Sequence, residues 1–254
     1  MEVVILAGGR GTRLAEETQV RAKPMVEIGG KPILWHIMNI YRTFGYRDFT
    51  LALGYKGEMI KEYFINYYHH QSNLNIDLKT GKVTAESSNI KDWKIDLVDT
   101  GEKSMTGGRL GRLRNKITDT FMLTYGDGLS DVNIEELVKF HKSHKKIATV
   151  TAVRPSARFG CMNFEGNKVA DFKEKSQTGE GWVNGGFFVF EPQVFEYLKG
   201  DSTILEQDPL ENLAKEGQLM AYKHQGFWHC MDTIRDRNVL EGLWQGQEAP
   251  WKIW

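Results

Sequence analysis

A short apolar run that leads directly into a glycine-rich turn constrains this chain more than any other feature. Residues 3–7 read Val-Val-Ile-Leu-Ala, and residues 8–13 read Gly-Gly-Arg-Gly-Thr-Arg. The run is rich in β-branched residues and too short for a helix, so it is interpreted as a buried strand. In the turn, glycines allow close approach of an anion, and successive amide groups can converge on phosphate oxygens. With Arg10 and Arg13 available for charge-assisted hydrogen bonds, the segment predicts a triphosphate-binding turn.

The turn does not match the two best-known phosphate-binding motifs. A P-loop requires a Gly-Lys-Ser/Thr ending, which this segment lacks, and the dinucleotide fingerprint requires three spaced glycines that open a helix. Gly9, Gly11 and Leu14 do not fit that spacing. Taken alone, the turn therefore fits a structural role as well as a phosphate site.

Composition restricts the function classes. The chain has 254 residues, 41% hydrophobic and 26% charged, which predicts one compact α/β domain or one domain with an appendage. Its 33 basic residues balance 33 acidic ones, so no long-range field attracts nucleic acid or a membrane surface. Cys161 and Cys230 cannot form a disulfide framework and indicate a reducing compartment. The first residues do not resemble a signal peptide, and no apolar run reaches the ~20 residues of a membrane span. We expect a soluble cytoplasmic protein with no nucleic-acid and no membrane partner.

Strand-like and helix-like segments alternate through the first part of the chain. Predicted strands lie at 48–53, 95–98, 121–125 and 147–153, and helical spacing is found at 33–41, 59–68 and 134–141. The alternation predicts a doubly wound, mostly parallel sheet of the Rossmann type. Residues 71–93 are predicted to leave the sheet, and residues 100–108 to form a loop before a basic helix over 109–116. From residue 158 the pattern changes to a small β-rich subregion with a hairpin over 162–172.

Three candidate features fall at the carboxyl ends of predicted strands, where open α/β sheets bind ligands. They are the turn at 8–13, Asp127 between Gly126 and Gly128, and Asp232. Gly-Asp-Gly is favourable turn chemistry on its own. Asp127 considered alone is therefore better explained as a turn residue, and only the combination indicates a site.

Eight motifs distributed over the whole chain carry a family resemblance. They are Leu-Ala-Gly-Gly-x-Gly-Thr-Arg-Leu at 6–14, Lys-Pro-Met-Val-Glu-Ile-Gly-Gly-Lys-Pro-Ile at 23–33, Val-Asp-Thr-Gly-Glu-x-Ser-Met-Thr-Gly-Gly-Arg-Leu at 98–110, Tyr-Gly-Asp-Gly at 125–128, Arg-Phe-Gly at 158–160, Glu-Lys at 174–175, Asn-Gly-Gly-Phe-Phe at 184–188 and Met-Asp-Thr-x-Arg-Asp at 231–236. With these motifs the sequence resembles the sugar-1-phosphate nucleotidylyltransferases. The first two motifs identify the superfamily, and those at 98–110 and 184–188 point to its cytidylyl branch.

The resemblance implies a reaction and its substrates. CTP and glucose 1-phosphate would give CDP-glucose and diphosphate, with Mg²⁺ as cofactor, in the nucleotide-sugar biosynthesis that serves dideoxyhexoses, O-antigen and lipopolysaccharide. The sugar phosphate attacks the α-phosphorus in line, a transfer that needs positioning and charge neutralisation more than a protein nucleophile. Three alternatives stay open: another nucleotide or sugar phosphate, a catalytically silent nucleotide-sugar sensor, and a glycosyltransferase with a related nucleotide-binding half.

The resemblance also assigns roles to residues. Arg13, Lys23 and Asp127 are the expected catalytic residues, and the carboxylates of Asp127 and Asp232 suit a magnesium ion that is shared with substrate phosphates. The expected nucleotide contacts are Leu6, Ala7, Gly8, Gly9, Gly11, Thr12, Arg13, Lys23, Thr106, Gly107, Arg109 and Asp127. The expected sugar-phosphate contacts are Gly160, Glu174, Lys175, Asn184 and Gly185.

The resemblance implies a single nucleotidylyltransferase domain over residues 1–254. Residues 1–155 would mainly bind the nucleotide, and residues 156–254 would mainly bind the sugar phosphate and pack the C-terminus. Two departures from the family pattern lie beside expected ligands: Arg21-Ala22 replaces the usual Lys-Pro, and Ser176 replaces a proline. The tryptophans clustered late in the chain indicate C-terminal packing or a subunit contact, and we expect a homo-oligomer.

Histidines and a cysteine outside these motifs are given simpler interpretations. His141 and His144 lie one helical turn apart among lysines, so we predict a solvated helix face. His229-Cys230-x-Asp232 resembles part of a transition-metal site, but the sequence offers no second cluster of ligands. We therefore interpret His229 and Cys230 as packed residues of a strand, beside one magnesium-binding carboxylate, Asp232, and not as ligands of a transition metal.

Overall fold

A seven-stranded sheet forms the centre of the computed structural model, which describes residues 1–86, 90–155 and 181–254 and the backbone of 161–165 and 168–173. The strands are β1 (Val3–Ala7), β2 (Glu27–Ile28), β3 (Lys31–Pro32), β4 (Asp48–Leu53), β5 (Asn73–Asp77), β6 (Lys82–Glu86), β7 (Lys94–Asp99), β8 (Phe121–Tyr125), β9 (Gly128–Ser130), β10 (Ala148–Val153), β11 (Cys161–Glu165), β12 (Lys168–Lys173), β13 (Val183–Phe190), β14 (Leu219–Lys223) and β15 (Trp228–Cys230). The helices are α1 (Ala15–Thr18), α2 (Ile33–Thr43), α3 (Gly57–Ile65), α4 (Tyr67–His70), α5 (Thr106–Gly111), α6 (Ile134–His144), α7 (Asp208–Lys215) and α8 (Ile234–Gln245), with 3-10 turns at Thr12–Leu14, Lys23–Met25 and Pro192–Tyr197.

The order of strands in the central sheet is β14-β10-β13-β8-β1-β4-β7. Only β13 runs antiparallel to its neighbours, β8 and β10, and the other adjacent pairs in this sheet are parallel. The predicted doubly wound, mostly parallel sheet is confirmed. Because β1, β4 and β8 are parallel and adjacent, their carboxyl ends lie together at one edge.

Strand β1 lies in the middle of the sheet and is buried along its whole length. Its side chains alternate between two hydrophobic cores, with Val3, Ile5 and Ala7 in one and Val4 and Leu6 in the other. Helix α2 packs on the first core, and α5 and α7 pack on the second. A continuous apolar strand is expected where helices cover both faces of a sheet. The burial fixes the position from which the glycine turn begins.

Both predicted excursions from the sheet are present. Among the described residues of 71–93, strands β5 and β6 pair with each other and with no other strand. Strands β11 and β12 form the hairpin predicted over 162–172. No helix in the part of the chain that the structure describes is long and apolar enough to cross a bilayer.

Helix α5 corrects the predicted loop over 100–108. It begins at Thr106 and not at Arg109. A Cβ atom on Gly107 would lie 2.8 Å from Thr203 Cγ2, and one on Gly108 would lie 2.2 Å from the Asp201 carbonyl oxygen. The two glycines indicate a loop in the sequence, but here they let the helix pack directly against the backbone of residues 201–205.

The burial of His141 shows that the predicted solvated face of α6 is wrong. Only 1% of it is exposed; its Nδ1 lies 2.8 Å from Thr149 Oγ1 and its Nε2 3.1 Å from Glu191 Oε1. Burial lowers the pKa of His141. The lysines beside it point to solvent while the histidine faces β10, so charge in the neighbouring sequence was misleading. His144 is half-buried, with Nε2 2.7 Å from Thr149 Oγ1.

The C-terminal tryptophans pack on the body of the protein. Trp251 is fully buried and stacks on Phe227, with 5.5 Å between ring centroids. Trp254 packs edge-on against Trp35 of α2 at 5.7 Å. Of the two expectations for these tryptophans, packing of the C-terminus or a subunit contact, C-terminal packing is observed.

Candidate active site

A cleft of about 790 Å³ opens at the carboxyl edge of the central strands. Its walls come from the glycine turn after β1, the turn after β8, the segment that enters α5, and the β13 and β15 strands. The described residues that line it are Leu6, Gly8, Gly9, Arg10, Gly11, Thr12, Arg13, Lys23, Pro24, Glu102, Lys103, Ser104, Met105, Thr106, Arg109, Tyr125, Gly126, Asp127, Asn184, Glu206, Trp228, Cys230 and Asp232.

Most of the sequence-predicted residues come together in this cleft, but three of the described ones do not line it. Ala7 is 1% exposed inside β1, and Gly107 faces residues 203–205 on the far side of α5. Gly185 lies beside the cleft next to Asn184. The predicted residues Gly160, Glu174 and Lys175 lie outside the described residues.

Arg109 lies beneath the glycine turn and is only 4% exposed. A Cβ atom on Gly8 or on Gly54 would lie 2.2 Å from Arg109 Nη1, so both positions require glycine. The guanidinium donates hydrogen bonds to five oxygens from three loops: the carbonyls of Gly8, Leu53, Gly101 and Glu102 and the hydroxyl of Thr100. A buried charge is stable only when it is hydrogen-bonded, and these oxygens supply the bonds. Arg109 borders the cleft and holds its floor together.

Lys23 lies between the two predicted metal carboxylates. Its Nζ is 2.5 Å from Asp127 Oδ2 and 2.7 Å from Asp232 Oδ1. Arg13 Nη1 lies 2.8 Å from Asp232 Oδ2. The carbonyl oxygen of Asp127 accepts a hydrogen bond from Met231 N at 2.9 Å, which ties the turn after β8 to the segment that carries Asp232.

The electrostatics of this group favour its charged forms. Burial by itself lowers the pKa of Lys23, but the charge of Asp127 and hydrogen bonds to both carboxylates outweigh it, and the pKa lies above its usual range. Burial raises the pKa of Asp232, but Lys23 and Arg13 outweigh that effect and lower it. At neutral pH, Lys23 is therefore a cation and Asp232 an anion.

The donor chemistry of this group fits a hard divalent cation. Asp127, Cys230 and Asp232 each offer one ligand atom, all within 4.8 Å of one another. Burial, and then the charge of Asp127, raise the pKa of the Cys230 thiol, and sulfur is a soft donor that suits magnesium poorly. His229 Nε2 lies 3.3 Å from Asp236 Oδ1. Two carboxylate oxygens are the donors that a hard cation shared with phosphates uses.

Asn184 and Gly185, the two described residues predicted to bind the sugar phosphate, are held from two directions. Asn184 Nδ2 donates to the Tyr125 hydroxyl at 3.2 Å, and Trp228 Nε1 donates to the Gly185 carbonyl at 2.7 Å. A Cβ atom on Gly185 would lie 2.7 Å from Val153 Cγ1, so the strand has no space for a side chain there.

Sequence reasoning missed several residues that line the cleft. Tyr125 lies in the motif at 125–128 and Ser104 in the motif at 98–110, and Trp228 lies just before the motif at 231–236. Their places in the sequence could therefore have indicated these three residues. No feature of the sequence indicated Glu206, because it belongs to no motif and only the fold brings it to the cleft.

Comparisons with known proteins agree with this geometry. A family model described as Nucleotidyl transferase matches residues 2–233. Glucose-1-phosphate cytidylyltransferase of Salmonella typhi is 50% identical over 256 residues, covering 100% of both chains. Mannose-1-phosphate guanylyltransferase catalytic subunit beta of Danio rerio is 30% identical, covering 96% of this chain and 64% of that protein. The crystal structure of HddC from Yersinia pseudotuberculosis gives a TM-score of 0.70 at 23% identity, covering 96% of this chain and 99% of that one.

The chain therefore belongs to the nucleotidyl transferase family, and the resemblance carried by its motifs is confirmed at that level. It is an enzyme of the nucleotidyltransferase type. Family membership implies a nucleoside triphosphate and a sugar 1-phosphate as substrates. Nucleotidyltransferases generally use a divalent metal ion, and the acidic group in the cleft fits one.

Proposed function

We propose that the protein transfers the cytidylyl group of CTP to glucose 1-phosphate, which yields CDP-glucose and diphosphate. The observation that carries the transfer is the position of Lys23 between Asp127 and Asp232, at the mouth of the glycine turn. The choice of base and sugar is supported by the Salmonella typhi relative, which shares half its residues with this chain along its full length.

The chemistry follows from these charges. The turn at 8–13 holds the triphosphate, and Lys23 and Arg13 neutralise charge on the transferring phosphate and on the departing diphosphate. Asp127 and Asp232 would hold Mg²⁺, which supplies further neutralisation of the substrate phosphates. The attacking group is the phosphate oxygen of the sugar, so the protein needs to orient two anions in line and needs no nucleophile of its own.

The remaining assignments belong to the same proposal. Residues 6–13 and Thr106, with Gly107 and Arg109 behind them, serve the nucleotide. Gly160, Glu174, Lys175, Asn184 and Gly185 serve the sugar phosphate, so residues 1–155 mainly bind the nucleotide, and residues 156–254 mainly bind the sugar phosphate and pack the C-terminus. We further propose a cytoplasmic homo-oligomer that supplies nucleotide sugar for lipopolysaccharide synthesis.

The test is diphosphate release over a grid of nucleotides and sugar phosphates. We expect kcat/KM for CTP to exceed that for UTP by at least ~10-fold, equivalent to about 1.4 kcal/mol. A site that hydrogen-bonds one base edge discriminates because the wrong base leaves buried groups unpaired. Equal rates with CTP and UTP would contradict the cytidylyl assignment, and no release with any pair would contradict the enzyme. Asp127→Asn and Asp232→Asn serve as negative controls, since each removes one of the two carboxylates.

A further inference from the structure

A second carboxylate lies in the cleft apart from the group around Lys23. Glu206 is half-buried in the segment before α7. Its Oε1 accepts a hydrogen bond from the Tyr125 hydroxyl, and its Oε2 accepts one from Thr106 Oγ1 at 2.6 Å. Leu205 N donates to the same threonine oxygen at 2.9 Å, which anchors the Glu206 segment to the first turn of α5.

Tyr125 connects Glu206 to the sugar side of the cleft. Its ring packs edge-on against Phe188 of β13, with 5.8 Å between centroids, and a Cβ atom on Gly186 would lie 2.6 Å from its Cδ2. Burial, and then the charge of Glu206, raise the pKa of the Tyr125 phenol. The hydroxyl therefore stays protonated and donates to Glu206, which leaves its oxygen to accept from Asn184.

The same network fixes which way the Asn184 amide points. Its Nδ2 faces Tyr125 at 3.2 Å, and its Oδ1 accepts from Gly186 N at 2.8 Å. An asparagine amide can rotate by half a turn at little steric cost, and only its hydrogen-bond partners select one orientation. A reversed amide would place its NH₂ group against a backbone N–H and its carbonyl against the Tyr125 oxygen.

A carboxylate in this position conflicts with a cleft that must admit two phosphorylated substrates. Like charges disfavour one another strongly in a partly desolvated site, so Glu206 must have a use that offsets the repulsion. Hydroxyl groups are its present partners. A carboxylate and an amide both recognise hydroxyl groups, and the hydroxyl-bearing substrate that we place beside Asn184 is the sugar phosphate, since Asn184 lies on β13 and not in the glycine turn.

We propose that Glu206 is a positioning residue for the sugar phosphate, acting through Tyr125 to orient the Asn184 amide toward the sugar hydroxyls. This inference rests on the proposed function and assigns a determinant of substrate binding to a residue outside every family motif. The network spans the cleft from α5 to β13. Loss of the Glu206–Tyr125 link should therefore affect binding of the sugar phosphate and leave binding of the nucleotide nearly unchanged, because Leu205 N still holds the Thr106 hydroxyl when Glu206 is replaced.

The test compares four variants in steady-state kinetics with each substrate varied in turn. Glu206→Ala and Tyr125→Phe should each raise KM for glucose 1-phosphate about 5- to 10-fold, as expected for loss of one half-buried hydrogen bond, with KM for CTP changed less than about 2-fold. Glu206→Gln should recover part of the loss, because an amide oxygen still accepts from Tyr125. Tyr197→Phe is the matched control, since its hydroxyl donates to exposed Glu216 at 2.5 Å, and it should behave as wild type.

The double variant Glu206→Ala/Tyr125→Phe should be little worse than either single variant, because residues that act as one unit are not additive. Additive losses, an equal rise in KM for CTP, or a fall in melting temperature without any change in KM would each overturn the inference. If the wild-type protein turns over normally while the variants show no selective effect, this inference alone fails. A wild-type protein without turnover would overturn the proposed function and the inference with it.

Discussion

Lys23 is the residue on which the charge balance of the cleft depends. Its ammonium separates two carboxylates that would otherwise repel each other, and it occupies the space between them that a metal ion could share. Its position 209 residues from Asp232 in the sequence shows that the pairing is a product of the fold. A cation in this place can neutralise phosphate and also compete with metal for the carboxylates.

We predict opposite effects of Lys23→Met on turnover and on metal binding. Loss of one preorganised positive charge should lower kcat by about 10²-fold or more. In the absence of nucleotide, the variant should bind Mn²⁺ more tightly than wild type, because the carboxylates lose a competing cation. Steady-state kinetics and electron paramagnetic resonance titration with Mn²⁺ measure the two effects.

The matched control is Lys139→Met on α6. Lys139 Nζ also lies between two carboxylates, 3.1 Å from Glu135 and 3.0 Å from Glu136, but its side chain is 61% exposed. Water screens such a surface pair, so this variant should keep wild-type turnover. A rise in KM at constant kcat for Lys23→Met would show that Lys23 only binds substrate.

Among the structural elements, the turn between β2 and β3 shows how one glycine fixes the packing of a distant helix. Gly29 has a φ of +60°, and a Cβ atom on it would lie 1.9 Å from Trp244 Nε1 of α8. Its amide also donates to Glu241 Oε2 of the same helix at 2.8 Å. The backbone of the turn therefore packs directly against the Trp244 and Glu241 side chains of α8.

We predict that Gly29→Ala destabilises the protein more than Gly30→Ala. Both glycines have positive φ, which costs an alanine about 1 kcal/mol, but a Cβ atom on Gly30 meets nothing within 4 Å. The clash at Gly29 should add about 1–3 kcal/mol of overpacking. Chemical denaturation of both variants measures the difference, and equal losses would show that α8 shifts freely away from the turn.

At the scale of the whole molecule, the C-terminal tryptophans and α2 enclose His36. The histidine is fully buried, and its Nε2 lies 2.8 Å from the Ile28 carbonyl. Burial lowers its pKa from 6.5 to about 4, although backbone carbonyls and the charge of Glu241 act in the opposite direction. Burial against α8 and the C-terminal tryptophans thus keeps His36 neutral.

His36 should make global stability depend on pH in the acidic range. Its folded pKa lies below its unfolded value, so the unfolded state binds a proton first as the pH falls. The contribution of neutral His36 to the free energy of unfolding is complete above about pH 6.5 and is lost as the pH falls from about 6.5 to 4. The difference between the folded and unfolded pKa values corresponds to a loss of about 3 kcal/mol at pH 4.

Denaturation midpoints from pH 7 to pH 4 test this prediction. His36→Gln should show a shallower decline than wild type, whereas substitution of the exposed His69 by glutamine should leave the slope unchanged. Parallel slopes for wild type and His36→Gln would mean that other groups control the acid response.

The sequence determined those features that depend on a few neighbouring residues. The β1 run, the glycine turn and the helical spacing of α2 each follow from local propensity and periodicity, and the structure has them where they were predicted. The motifs also indicated Lys23, Asp127 and Asp232 as site residues, although the sequence does not show that they lie next to one another. A motif preserves chemistry that is local in sequence, which is why these residues could be named individually.

The tertiary structure alone decided contacts between segments that are distant in sequence. Arg109 was expected beside the nucleotide, yet its guanidinium is hydrogen-bonded to carbonyls of three loops. Helix α5 includes glycines that indicate a loop, because the backbone of residues 201–205 packs directly against them. Glu206 reaches the cleft only because the segment that precedes α7 packs on α5. Burial and non-local hydrogen bonds set these outcomes, and neither is encoded in any single window of the sequence.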